Sequence, residues 1–455
     1  MHQDGSTNRC WMFLAGLMIF VLPAMSWAAE EGAQHQVDSD LYRVLILLAI
    51  VGAAYIITHL LLERLAERFG FVTGTEYIVL GALLGPVFGV LDTETIGALT
   101  PVNVLGTGSL GLLAGLNLRF RGFTPFRMRA FQSGITIALG TLLTVVGVPL
   151  LALIYFDFPG GVDPFMPILL CSGAVAVVVN TGPLRAMAAF WGAEGSTTDF
   201  SVQVARFCSS VGIIAFGLIF CFYNETTVPF DVDPPFVWMT WLGIHLLLGS
   251  VLGLIFAGFL IRELSDDMLI TIFMGMVIFT SGFAYYLHLS PIFVNFVLGV
   301  VLINVSQHVE HVHKRLLEIR RPLYIILFFF AGAGWALSAE PIWGYLLVFA
   351  YLVLRFVGRM IGSIGASRIT KDRSYGSGLY RALQGSGALS VAMLLDFTQV
   401  FGNLEYAGLM YNGLLIAIVL SEIASYPLTR NWLIDVADVA SPEKRGSSTQ
   451  TQEAS

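Results

Sequence analysis

The sequence predicts an all-α polytopic membrane protein of about thirteen transmembrane helices, built as an inverted repeat whose fifth and twelfth segments are both discontinuous. Three observations predict this. Of 455 residues, 56% are hydrophobic and only 12% charged, about half the charged share of an ordinary soluble domain. Apolar runs follow one another, each near the about 20 residues a bilayer needs, or shorter where a helix is broken. The loops between them alternate in charge, and two of the runs carry matching glycine- or proline-rich breaks.

Residues 1–28 read as a signal peptide. Arg9 precedes the apolar stretch WMFLAGLMIFVLPAM, and Ser26-Trp27-Ala28 offers a small-residue cleavage site. An uncleaved first helix is the alternative, and the shortness of the run argues against it. An acidic periplasmic segment, 29–40, comes next. The membrane domain then spans 41–427, with segments at Leu41–Leu62, Tyr77–Leu91, Val102–Leu118, Phe131–Tyr155, Phe165–Phe190, Thr198–Phe222, Val237–Ile261, Met268–His288, Pro291–Val305, Pro322–Leu337, Pro341–Ala366, Ser377–Phe397 and Tyr406–Pro427. With the N-terminus outside, the inner loops hold Arg64, Arg68, Arg119, Arg121, Arg127, Arg129, Arg262, Lys314, Arg315, Arg320, Arg321, Arg368, Lys371 and Arg373. The outer loops hold only acids such as Asp92, Asp157, Asp231 and Glu340. This positive-inside pattern predicts a bacterial-type inner membrane protein, N-out and C-in. The tail 428–455 is polar and is expected to be cytoplasmic and disordered.

Segment 5 runs AVAVVVNTGP and is interrupted at Asn180-Thr181-Gly182-Pro183. Unpaired backbone cannot face hydrocarbon, so the interruption is either a tolerated proline kink or backbone lining a cavity. Segment 12 decides between them, because SGLYRALQGSGALSVAML breaks at Gln384-Gly385-Ser386-Gly387 and runs the opposite way. Corresponding broken helices in two inverted halves point to a transporter's substrate site. Pro183 suits the first turn of the second half-helix, with Gly182 or Thr181 as cap. Asn180 and Thr181 supply oxygens for a small desolvated cation.

The order of LGALLGPVFGVL, GLLAGLNLRF, SPIFVNFVLGVVLINVSQHVEHVHKRLLEIRRPLYIILFFFAGAGW, LRFVGRMIG and QGSGALSVAM resembles the cation/proton antiporter superfamily, the sodium/hydrogen exchanger-like transporters, and within it the bacterial potassium-efflux-like branch. The resemblance spans Leu41 to Pro427. It implies that helices 5 and 12 cross at their breaks, that helices 4 to 6 and 11 to 13 form a core moving against a dimerising scaffold, and that a monovalent cation, Na+ or K+, is exchanged for protons. It also implies one or two carboxylates in helix 6. Here that position falls on Arg206-Phe207, and no acid lies between Phe200 and Phe222.

A deep arginine costs about 2.5–3.5 kcal/mol on an insertion scale, so Arg206 needs a partner. Glu422 lies at similar depth, and an Arg206–Glu422 pair is expected. Arg355 falls where the resemblance implies a basic residue, with Arg359 one turn on. Two functions stay open: cation/proton antiport with Asp199, Asp396 or Glu422 as the titrating acid, or an electropositive site of Arg206 and Arg355 that carries an anion or belongs to a non-transporting sensor.

Other signals are weaker. GTGSLG at 106–111 matches a nucleotide-binding pattern but has no preceding strand, so helix packing explains it. His308, His311 and His313 fit a solvated amphipathic helix or a pH sensor. His59 and His245 are expected to be hydrogen-bonded within the bundle. Cys171, Cys208 and Cys221 lack metal-like spacing and read as buried thiols. No enzyme motif, cofactor, metal or nucleic-acid partner is indicated; the expected partners are the cation, the proton, lipid and a second copy of the chain.

Overall fold

The computed structural model describes residue 74 and residues 76–87, 93–120, 124–157, 161–193, 195–224, 236–259, 266–306, 322–335, 342–370 and 377–436. The signal peptide, the acidic segment, the first membrane run, His59, His308, His311 and His313 lie outside them. All regular elements among the described residues are helical. They are α1 (Glu76–Ala82, running on as a π turn over Leu83–Val87), α2 (Thr93–Ala98), α3 (Thr100–Leu116), α4 (Pro125–Tyr155), α5 (Met166–Val177), α6 (Gly182–Trp191), α7 (Ser196–Phe222), α8 (Val237–Phe259), α9 (Asp266–Tyr286), α10 (Pro291–Val305), α11 (Pro322–Ala333), α12 (Ile342–Thr370), α13 (Gly387–Phe401) and α14 (Ala407–Asp435). Two 3-10 turns complete the elements among the described residues, Asp163–Phe165 before α5 and Ser377–Arg381 before α13.

Helix starts follow the sequence closely. Proline occupies the first turn of α3, α4, α5, α6 and α10, where its missing N–H would be an orphan in any case. Thr124 and Ser290 add side-chain caps to α4 and α10, accepting from Arg127 N and Phe293 N at 3.3 Å. The π turn contains Pro86, which cannot donate to the preceding turn.

Two boundaries differ from expectation. The short α2 falls in a stretch read as loop, being too polar and too brief to register as a membrane run. Helix α14 passes straight through Pro427 to Asp435, so residues 428–435 belong to it and not to the tail. Trp432 and Leu433, 1% and 0% exposed, bury the extra turns, which outweighs the one hydrogen bond lost at Pro427.

The inverted repeat shows in the pairing of helices. Segments 2 and 3 correspond to 9 and 10, so the repeat should exchange the contact α1–α11 with α10–α3. Both exist, and both are made by glycine. A methyl group on Gly81 would strike the Phe329 carbonyl, and one on Gly332 the Ile78 carbonyl. Likewise a methyl group on Gly111 would strike the Ile292 carbonyl, and one on Gly299 would lie 2.6 Å from the Leu112 carbonyl. GTGSLG is therefore a packing stripe, since lipid offers no hydrophobic drive and close backbone contact replaces it. The related helices α4 and α12 meet in the same way, at Gly140 and Gly362.

Candidate functional site

Two helix breaks meet in the middle of this bundle. α5 ends at Val177, and Val178 turns extended (φ −62, ψ 135). The chain stays irregular to Asn180 before α6 begins, with Thr181 at its N-cap. On the other side, a turn at Ala382-Leu383 and irregular backbone at Gln384, Gly385 and Ser386 separate the 3-10 turn from α13. The breaks bond directly: Asn180 N donates to the Gly385 carbonyl at 2.9 Å. Gly387 has φ +70, and a methyl group there would lie 2.7 Å from Asn180 Cγ. Only glycine satisfies both the left-handed backbone and the contact.

Each broken end has its own partner. The last carbonyls of α5 face two arginines of α12. Arg359 Nη2 donates to Ala176 O and Val178 O, both at 2.8 Å. Arg355 Nε donates to Ala176 O at 3.2 Å, and its Nη2 reaches Val178 O at 3.5 Å and Gly385 O at 3.4 Å. Cations thus oppose the negative end of a half-helix in a dry interior, which accounts for arginines 2% and 0% exposed. Ser209 of α7 braces the same strand, accepting from Val179 N at 3.1 Å.

The amide ends differ. Asn180 Oδ1 accepts from Gly182 N at 2.9 Å, so Asn180 caps α6 with its own side chain, where Thr181 makes no side-chain cap. α13 is capped from another helix. Glu422 of α14 accepts from Ser386 N at 2.9 Å and Gly387 N at 3.2 Å through Oε2, and from Asn180 Nδ2 at 2.5 Å through Oε1. It is 0% exposed. Ser386 Oγ and Ser421 Oγ, 2.7 Å apart, tie the same two helices. Gln384 donates to Tyr380 O at 2.9 Å, within its own segment.

A cavity of about 350 Å³ reaches the crossing from one end. Asn180, Thr181, Gly182, Ser386, Gly387 and Arg206 line it together, with Arg185, Glu76 and Asn117 further along. Pro183, Gln384, Gly385, Arg355 and Glu422 stand behind this wall. Phe207 points elsewhere, its ring edge-on to Phe131 of α4 at 5.3 Å. The expected Arg206–Glu422 pair is replaced: both oxygens of Glu422 are taken by Asn180 and the α13 amides, and the arginine whose charge acts on it is Arg355. Similar depth along two helices did not reveal that α13 inserts its N-terminus at Glu422. Sequence reasoning also missed Ser209, Ser421 and Arg185; the available signals were small polar residues in apolar helices for the serines and a charge within segment 5 for Arg185.

Two broken helices thus cross mid-bundle, inside an inverted repeat, as the resemblance implies. The comparisons agree: two solved structures of the sodium proton antiporter MjNhaP1 from Methanocaldococcus jannaschii match over 87% and 88% of this chain and 99% of theirs, with TM-scores of 0.67 and 0.62. Identity is 14% and 13%, so it is the fold that is shared. No protein-family model matches, and no curated protein does.

Proposed function

We propose that this protein is a secondary active transporter of the cation/proton antiporter type, exchanging Na+ or K+ for protons across the inner membrane as a homodimer. The observation that carries this is Glu422. Among the described residues it is the carboxylate brought to the crossing, one side chain behind the cavity wall. A single carboxylate that holds either a proton or a cation couples the two fluxes by competition. Asn180 stands between Glu422 and the cavity, so rotation of its amide exposes the acid to solvent while Asn180 and Ser386 oxygens remain to replace a cation's hydration shell. Glu422 thereby fills the part that the resemblance implies for a helix-6 acid.

A second reading has its own support. The cavity holds Arg185 and Arg206 against one acid, Glu76, and ends at the amide terminus of α6. Such a wall favours an anion. One experiment separates the two: reconstitute the protein in liposomes, follow internal pH, and add sodium, potassium, lithium, chloride and small organic anions in turn. Proton movement evoked by a cation and abolished in Glu422→Gln supports antiport. Movement evoked by an anion and lost in Arg206→Gln supports the second reading, and silence with every solute overturns both in favour of a sensor.

A further inference from the structure

Away from the cavity, a second polar cluster lies in the apolar interior. Asp396 of α13 is 1% exposed and accepts a hydrogen bond from Ser290 Oγ at 2.6 Å, with the Ile292 amide near enough to act on its charge. Ser290 is the N-cap of α10, so Asp396 completes the cap of a helix end that carries partial positive charge. The Ser290 amide donates to His245 Nε2 at 3.3 Å, and His245 Nδ1 lies 2.8 Å from the Trp241 carbonyl. With one ring nitrogen accepting and the other donating, His245 is held as the neutral imidazole.

Other groups around Asp396 are also uncharged or distant. Cys171 of α5 is close enough to feel its charge. α3 carries no ionisable residue. α14 brings Tyr411, whose hydroxyl is bonded to Ala331 O at 2.7 Å. Glu422 caps α13 at its start, roughly 13 Å of helix from Asp396. Cys221 sits 3.7 Å from His245 Nδ1. None of these is a cation. A carboxylate buried without one is costly as an ion, and what faces it is the Ser290 hydroxyl and the amide end of a helix. Between this cluster and the end of α13, Phe401 packs edge-on to Phe220 and tilted against Phe397, with ring centres 5.2 and 4.9 Å apart.

We propose that Asp396 is a second proton-binding site, separate from the crossing, whose protonation loosens α13 from α10. Ionised, it caps α10 and ties the two helices. Protonated, it keeps a neutral contact with Ser290 and loses the charge that faces the α10 terminus, leaving the packed Phe220, Phe397 and Phe401 rings as the remaining seal. The loosening rests on the reading that α13 moves during transport; the proton site does not.

The test uses the full chain in lipid with no transported solute, so a failure of transport leaves it intact. Infrared difference spectra are recorded across the range in which carboxylates and histidines titrate. A protonated-carboxyl band should grow on acidification, persist in Glu422→Gln and vanish in Asp396→Asn. In Ser290→Ala, which keeps the acid, the band's midpoint should shift. A band unaffected by Asp396→Asn, or a midpoint unmoved in Ser290→Ala, overturns the site. Thiol labelling of Cys221, normalised to denatured protein at the same pH, should be at least tenfold faster in Asp396→Asn; equal labelling overturns the loosening.

Discussion

The two helix breaks face each other through one hydrogen bond, yet they are stabilised by different means. The α5/α6 break is served by fixed groups: two arginines that stay charged under ordinary conditions, and the capping amide of Asn180. The α13 break shares Arg355 through one long bond to Gly385 O, but its amide end is served by Glu422, a carboxylate contributed by α14. Protonating Glu422 removes charge from the amide end of the second break, while the first feels it only through the Asn180 amide and keeps its two arginines. The asymmetry makes α5/α6 the permanent half of the crossing and α13 the half whose electrostatics answer to a proton.

That comparison is open to breaking at its tightest point. Gly387→Ala adds a Cβ 2.7 Å from Asn180 Cγ at a residue with φ +70. Strain and overpacking together should cost about 3 kcal/mol or more. Thermal unfolding in detergent should show a large drop or no folded protein. Gly182→Ala, with its nearest contact at 3.1 Å to a side-chain oxygen and an ordinary helical backbone, is expected to cost less than about 1 kcal/mol. Equal losses would mean that the two breaks are packed alike.

Next in size is the fixed charge. Arg359→Ala removes two charge-assisted hydrogen bonds from the α5 terminus and should cost about 3 kcal/mol. Arg359→Lys should recover part of this, because a lysine supplies the charge but not the planar fork. Its Nε and Nη1 have no partner among the described residues, so burial of this arginine is not free, and a loss below about 1 kcal/mol would show that desolvation cancels the two bonds.

The crossing's outline was legible because helix-breaking residues in membrane runs have few explanations. Asn180-Thr181-Gly182-Pro183 and Gln384-Gly385-Ser386-Gly387 were found in this way, and the glycine stripes of α3 follow from the same physics. What could not be read was which helix end meets which side chain. Arg355 and Glu422 stood out as deep charges, but pairing Glu422 with Arg206 assumed that depth fixes neighbours. Rotation about the helix axis matters as much: it turns Phe207 towards α4 while its neighbour Arg206 faces the cavity. Asp396 was visible only as one acid among three, since its partner Ser290 is an ordinary N-cap until α13 is placed against it.

The finest test compares two amides, one beside each break. Asn180 bonds outward on both sides of its amide, to Gly182 N and to Glu422, so Asn180→Ala uncaps α6 and leaves one carboxylate oxygen without its donor. About 2 kcal/mol of stability should go, along with cation-evoked proton movement. Gln384 bonds back to Tyr380 O in its own segment and touches no charged group through that bond. Gln384→Ala should cost only about 0.5–1 kcal/mol and leave the liposome signal close to wild type. A Gln384 variant that stays folded but loses proton movement would place the functional amide beside α13 and overturn Asn180 as the amide that governs access to Glu422.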